Sequence, residues 1–185
     1  MMPPLRLIAI TSPSFLPDEG ERIAALLSED GFWRVHVRKP EASADDLRRL
    51  LTTIPVWCHP HLVLHDHHEL CREFHVGGLH LNRRNPFAPS FAQGARLSLS
   101  CSCHSLSEVE QCKSKMDYVF LSPIFDSNSK QGYRSQFPLA VLQKAATEGI
   151  IDSKVLALGG VTEDRLPLIQ RLHFGGAAML GAVWT

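Results

Sequence analysis

A parallel α/β fold, either a (β/α)₈ barrel or a doubly wound open sheet, is predicted by three features of this 185-residue sequence. Short apolar runs rich in branched residues recur along the chain, longer amphipathic stretches separate them, and several of those stretches open on a capping signature. The eight runs are Leu5 to Thr11, Arg34 to Arg38, His61 to His65, Gly78 to Asn82, Arg96 to Cys101, Tyr118 to Ser122, Lys154 to Leu158 and Ala177 to Val183. Between them, Asp18 to Asp30, Ser43 to Thr53, His68 to His75, Ser105 to Lys115, Phe137 to Thr147 and Thr162 to His173 mostly place apolar residues three and four apart, the spacing of one helix face.

Helix starts are marked in turn. Ser43 precedes Ala44-Asp45-Asp46, Ser105 stands three residues before Glu108 as in a capping box, and Thr162 precedes Glu163-Asp164. The connection from Arg83 to Ala95 is cut by Pro86 and Pro89 and carries no helical stripe, so it predicts a loop with a turn of helix. The chain stops shortly after the eighth run, at Trp184-Thr185, so a barrel here is short and its last helix missing or truncated.

With 44% apolar residues the chain can bury one core, and residues 1–185 are expected to form a single domain. Nineteen basic and nineteen acidic residues leave a net charge of zero, which gives no footprint for nucleic acid or an anionic membrane. No apolar stretch is long enough to span a bilayer, and the N-terminus lacks the features of a signal peptide. Five cysteines without a CxxC pair fit a reducing compartment, hence the cytoplasm. Cys101 and Cys103 share one face of a strand, where neighbours at i and i+2 rarely close a disulfide.

In either architecture ligands bind beyond the carboxyl ends of the strands, so the residues ending each run carry the functional information. These ends are polar: Arg38-Lys39, His65-Asp66, Asn82 to Asn85, Ser102 with His104, Ser122 with the loop Asp126 to Lys130, Gly159-Gly160, and Gly181. Gly159-Gly160 lets backbone N–H groups approach a phosphate before a helix start, although a tight strand-to-helix turn needs the same residues. Ser127, Asn128, Ser129 and Lys130 offer hydroxyl, amide and ammonium donors to phosphate oxygens, and equally make an ordinary solvated loop. Asp66 could hold Mg²⁺ or cap the following helix. A zinc reading of His65, His67, His68, His80 and His104 lacks the spacing of known sites, and a single general acid or base, His104, is preferred.

Taken in order, these strand ends resemble the thiamine phosphate synthase family and the related thiazole tautomerases. The likeness runs through Val35-His36-Val37-Arg38-Lys39, Leu64-His65-Asp66, Gly78-Leu79-His80-Leu81-Asn82, Ser100-Cys101-Ser102-Cys103-His104, Tyr118 to Phe125, and Ala157-Leu158-Gly159-Gly160-Val161. Ser122 to Lys130 resembles the family's G-P-[IV]-F-x-T-x-T-K loop, with serines for both threonines. The resemblance implies a (β/α)₈ TIM barrel of thiamine biosynthesis, a transferase joining a hydroxymethylpyrimidine diphosphate to a thiazole phosphate with Mg²⁺ and release of diphosphate. By position it implies that Arg38, Ser102 and Lys130 contact the diphosphate and that Asp66 holds the metal. Ser127, Ser129, Gly160, Leu180 and Gly181 would line the thiazole phosphate pocket. The catalytic set is then Ser102, His104 and Lys130, with His36, Lys39, His65, Asn128 and Gly159 among the substrate contacts.

Five positions depart from the family pattern. His36 stands for a Gln, Lys39 lies one position early for the motif's Lys, and His65 stands for the Asn before the metal Asp. The second metal carboxylate falls on Asn85, and Gly181 replaces a serine. A tautomerase, needing neither metal nor diphosphate, and an inactive phosphate-binding barrel are the competing readings. A missing last helix would leave apolar barrel surface to a homodimer partner.

Overall fold

Backbone pairing converts the apolar runs into eight parallel strands that close into a barrel in chain order, β1 to β8. They span Arg6–Ile10, Arg34–Val37, Leu62–Leu64, Gly78–Leu81, Ser98–Cys103, Tyr118–Leu121, Val155–Leu158 and Gly176–Met179. The computed structural model describes residues 4–92, 94–126 and 137–184. Among these, α1 to α6 cover Glu19–Ser28, Ala44–Thr53, Cys71–Phe74, Leu106–Cys112, Leu139–Thr147 and Leu166–Arg171. The barrel, not the open sheet, is therefore the fold. Two compact units divide the chain: Ile8–Leu99 with Trp184, and the residues up to Leu7 with Ser100–Val183.

In the Ile8–Leu99 unit, α2 buries Leu47, Leu50 and Leu51, the i, i+3, i+4 stripe of its sequence. Removing each such leucine from water contributes roughly 1.5–3 kcal/mol. Ser43 starts this helix with a full capping box: its hydroxyl accepts from the Asp46 N–H at 3.2 Å, and the Asp46 carboxylate accepts from the Ser43 N–H at 3.0 Å. The stretch His68 to His75 is not one helix. His67 and His75 both take φ of 51°, a left-handed conformation that stops helical hydrogen bonding, and between them a 3₁₀ turn, His68–Leu70, precedes the single turn of α3. The 83–95 connection is a loop with a 3₁₀ turn at Ser90–Ala92.

In the Ser100–Val183 unit, Tyr118, Val119, Phe120 and Leu121 of β6 are all fully buried, as expected of a parallel strand covered on both faces. Ser105 caps α4 by accepting from the Glu108 N–H, but the Glu108 carboxylate takes the His104 N–H at 2.6 Å, so only half of the box forms. Thr162 makes no side-chain cap bond, and the helix it was expected to open begins as a 3₁₀ turn, Glu163–Arg165. β8 ends at Met179, earlier than Val183, because Gly181–Val183 winds into a 3₁₀ turn. Among the described residues no helix is long and apolar enough to cross a membrane.

Candidate functional site

Register decides which side chains meet after β2, β3 and β4. Val37 pairs with Leu64 and Leu64 with Leu79, so one residue further on His65 and His80 stand side by side. Their rings stack with centroids 4.2 Å apart. His36, one residue before Val37 on β2, reaches both: its Nδ1 lies 2.9 Å from His65 Nε2, and its ring meets His80 edge-on at 5.4 Å. Burial pushes the pKa of His36 and of His65 well below the ordinary histidine value, each helped by the neighbouring imidazoles. Burial, with His68 and Arg38 adding to it, pushes His80 down to about 3. All three are neutral at pH 7. His68 is also buried, and its Nε2 has no hydrogen-bond partner among the described residues.

Beyond this cluster, Asp66 is clasped by Arg84: Nε donates to Oδ1 and Nη2 to Oδ2, both at 2.8 Å. This is the bidentate fork geometry that gives guanidinium–carboxylate pairs their strength. Asn85 Nδ2 adds a third bond to Oδ1 at 3.2 Å and also donates to the His65 carbonyl at 3.3 Å. The Asn82 amide donates to the same carbonyl at 2.6 Å, while its Oδ1 accepts from the Arg84 and Asn85 N–H groups. The Asn82–Asn85 turn is thus tied over the end of β3.

Arg38 is half-buried, its backbone fixed by Thr11, and its guanidinium makes no ion pair among the described residues. Lys39 turns elsewhere. Its ammonium donates to Glu19 at 2.7 and 2.9 Å and to the Ser12 and Ser14 carbonyls at 2.8 and 2.7 Å, with both charged side chains only 1% exposed. A ligand phosphate would have to displace Glu19 to use it.

In the other unit, the exposed His104 approaches the Ser122 carbonyl with Nδ1 at 3.0 Å. A carbonyl only accepts, so Nδ1 carries the proton and Nε2 is left as the basic nitrogen. Ser102 is half-buried two residues earlier on β5. Gly159 and Gly160 take φ of 96° and 61°, and a Cβ on Gly160 would lie 2.5 Å from the Asp126 carbonyl oxygen. Glycine is required there by both conformation and space. Leu180 is half-buried and Gly181 exposed in the turn after β8. Ser127, Asn128, Ser129 and Lys130 lie outside the described residues.

A closed barrel of eight parallel strands in chain order, with polar side chains following the strand ends, defines a (β/α)₈ barrel protein. A sequence profile described as thiamine monophosphate synthase matches residues 7–183. The chain belongs to the thiamine monophosphate synthase family. A solved structure, thiamine phosphate pyrophosphorylase from Bacteroides thetaiotaomicron, superposes with a TM-score of 0.85 at 43% identity, covering 97% of this chain and 85% of that one. The Pyrococcus furiosus thiamine phosphate pyrophosphorylase shares the fold, with a TM-score of 0.74 at 22% identity over 96% and 86% of the two chains. Among curated relatives, thiamine-phosphate synthase from Latilactobacillus sakei is 26% identical over 129 residues. That alignment takes in 68% of this chain but spans only 57% of the length of the relative.

Proposed function

We propose that this chain is a thiamine phosphate synthase: it joins a hydroxymethylpyrimidine diphosphate to a thiazole phosphate and releases diphosphate. The observation that carries the reading is the family match over residues 7–183, which includes the described strand ends. In this reaction the bond from the pyrimidine methylene to the diphosphate oxygen breaks, leaving a carbocation, and the thiazole nitrogen forms the new bond to that carbon. The protein's task is to hold the leaving diphosphate and its growing charge. Arg38, a guanidinium without an ion pair among the described residues, suits bidentate contact with phosphate oxygens. Ser102 and Lys130 are assigned to the same diphosphate, and Ser127, Asn128, Ser129, Gly159, Gly160, Leu180 and Gly181 to the thiazole phosphate. His36 and His65 are assigned as further substrate contacts. We place the enzyme in the cytoplasm, acting on phosphorylated small molecules and assembling as a homodimer.

Mg²⁺ is the family's expected cofactor, and the residues at the end of β3 do not fit it. This cation favours carboxylate oxygens. Here both oxygens of Asp66 are held by Arg84, and at the second carboxylate position Asn85 presents an amide N–H to the same Asp66. No step is therefore routed through a metal at Asp66. The same pairing favours a second reading, the thiazole tautomerase, in which His104 Nε2 moves a proton on a thiazole phosphate carboxylate without metal or diphosphate.

Purified protein is to be mixed with both phosphorylated substrates, with Mg²⁺ and with a chelator, and thiamine phosphate followed. Product that falls at least tenfold in Arg38→Ala supports the synthase. Conversion of the thiazole tautomer alone, lost in His104→Gln, replaces it with the second reading.

A further inference from the structure

We propose that His36, His65 and His80 form a binding site for a divalent transition-metal ion of the zinc class, held by three imidazole nitrogens from consecutive strands. One ring nitrogen from each of the three lies within 4.8 Å of the others. All three residues are buried, at 0%, 5% and 2% exposure. The register explains the convergence: His65 and His80 share one level of β3 and β4, and His36, level with Val63, sits two residues below on β2, on the same face of the sheet.

The spacing suits a metal with imidazole ligands. Zn–N bonds of about 2.1 Å in a tetrahedral shell put ligand nitrogens about 3.4 Å apart. His36 Nδ1 and His65 Nε2, now 2.9 Å apart around a shared proton, would open by about half an ångström around a metal at that distance. The third nitrogen, no more than 4.8 Å away, would close by at most about 1.4 Å, within reach of a side-chain rotation. On binding, the proton between the two rings moves to the far nitrogen of the ring that donated it or to solvent, and no electron is transferred. Three nitrogen donors without a carboxylate select zinc-class ions over Mg²⁺ and Ca²⁺ and leave the fourth position for water or a ligand oxygen. The bland reading of the same geometry is a hydrogen-bonded cluster of core histidines, and the two differ in metal uptake.

Two of its ligands, His36 and His65, are residues assigned above to the substrate, and His65 adjoins Asp66, but metal uptake is read without substrate, so failure of the synthase reading leaves the proposal standing and its own failure leaves that reading untouched. Full-length protein without a polyhistidine tag, stripped with a chelator, is titrated with Zn²⁺ by calorimetry and with Co²⁺ by visible absorption. A single equivalent of Zn²⁺, unaffected by excess Mg²⁺, and a Co²⁺ spectrum without thiolate charge transfer are expected; the second readout excludes the Cys101, Cys103 and Cys112 cluster. His36→Gln and His80→Gln should each weaken uptake at least about 100-fold, with far-ultraviolet circular dichroism unchanged, while His61→Gln leaves it intact. Should a variant not fold, the imidazole nitrogen shifts of the wild type on Zn²⁺ addition decide in its place. Failure of the wild type to bind, a thiolate spectrum, or uptake that survives both histidine substitutions overturns the proposal.

Discussion

Glu19→Gln is the substitution expected to do most harm for the smallest change in shape. Glu19 and Lys39 are each 1% exposed, and the glutamate oxygens receive two of the contacts made by the ammonium. Removing one partner of a buried pair leaves an uncompensated charge and costs about 3–5 kcal/mol. The two carbonyls of Ser12 and Ser14 keep some hold on the ammonium, so the lower half of that range is expected. Urea unfolding at pH 7 reads it as a fall in midpoint at constant slope. A double variant, Glu19→Leu with Lys39→Met, should recover much of the loss, because no charge is then buried. The pH dependence has a definite sign. Burial lowers the Lys39 pKa from 10.5, with Glu19 opposing, so between the folded pKa and 10.5 the unfolded chain binds the extra proton and stability rises with pH. Without Glu19 the folded pKa drops further and the variant should regain stability on going from pH 7 to 10 relative to the wild type. A loss below about 1 kcal/mol, the value of an exposed pair, or a deficit independent of pH refutes the reasoning.

Arg84→Ala should raise Mg²⁺ affinity at Asp66, measured by calorimetry; equal binding by the wild type would sink the argument that the guanidinium occupies the carboxylate. Gly160→Ala places a Cβ 2.5 Å from the Asp126 carbonyl at φ of 61°, and should cost at least about 1–2 kcal/mol in thermal unfolding. Of the five thiols Cys101 alone is pushed down, by a hydrogen bond from Cys103, while Cys58, Cys71, Cys103 and Cys112 are pushed up, chiefly by burial or by Cys101. Brief iodoacetamide treatment near pH 8 followed by peptide mass mapping should therefore find Cys101 modified first.

What the sequence made legible was local. The eight apolar runs matched eight strands because burial on both faces needs continuous apolar sequence, and the Ser43 box formed because its two partners are three residues apart. Contacts set by the register were not legible. The zinc reading of His65, His67, His68, His80 and His104 held two of the three histidines that cluster and left out His36, whose nearness to His65 follows from the alignment of β2 on β3. The signal that could have found it was position within the runs: His36, His65 and His80 lie at or near the ends of three successive strands. Lys39 was read as a substrate contact because it stands beside Arg38 in the stretch that resembles the family motif, and nothing near it in sequence points to Glu19. Asp66 was read as free to take a cation, since the arginine that clasps it lies on a different loop.

The bond from Asn85 to the end of β3 sets a direction on how this site can change. An amide at that position donates to the His65 carbonyl and to Asp66 Oδ1; a carboxylate there would turn both contacts into oxygen facing oxygen. Asn85→Asp on the present turn would therefore lose both bonds and, with Arg84 still on Asp66, would not by itself leave a pair of acids open to a cation. The turn between Asn82 and Asn85 would have to be rebuilt with it, so the neutral side chain at 85 works as a fastener whose exchange for an acid undoes the fold of the turn that presents it.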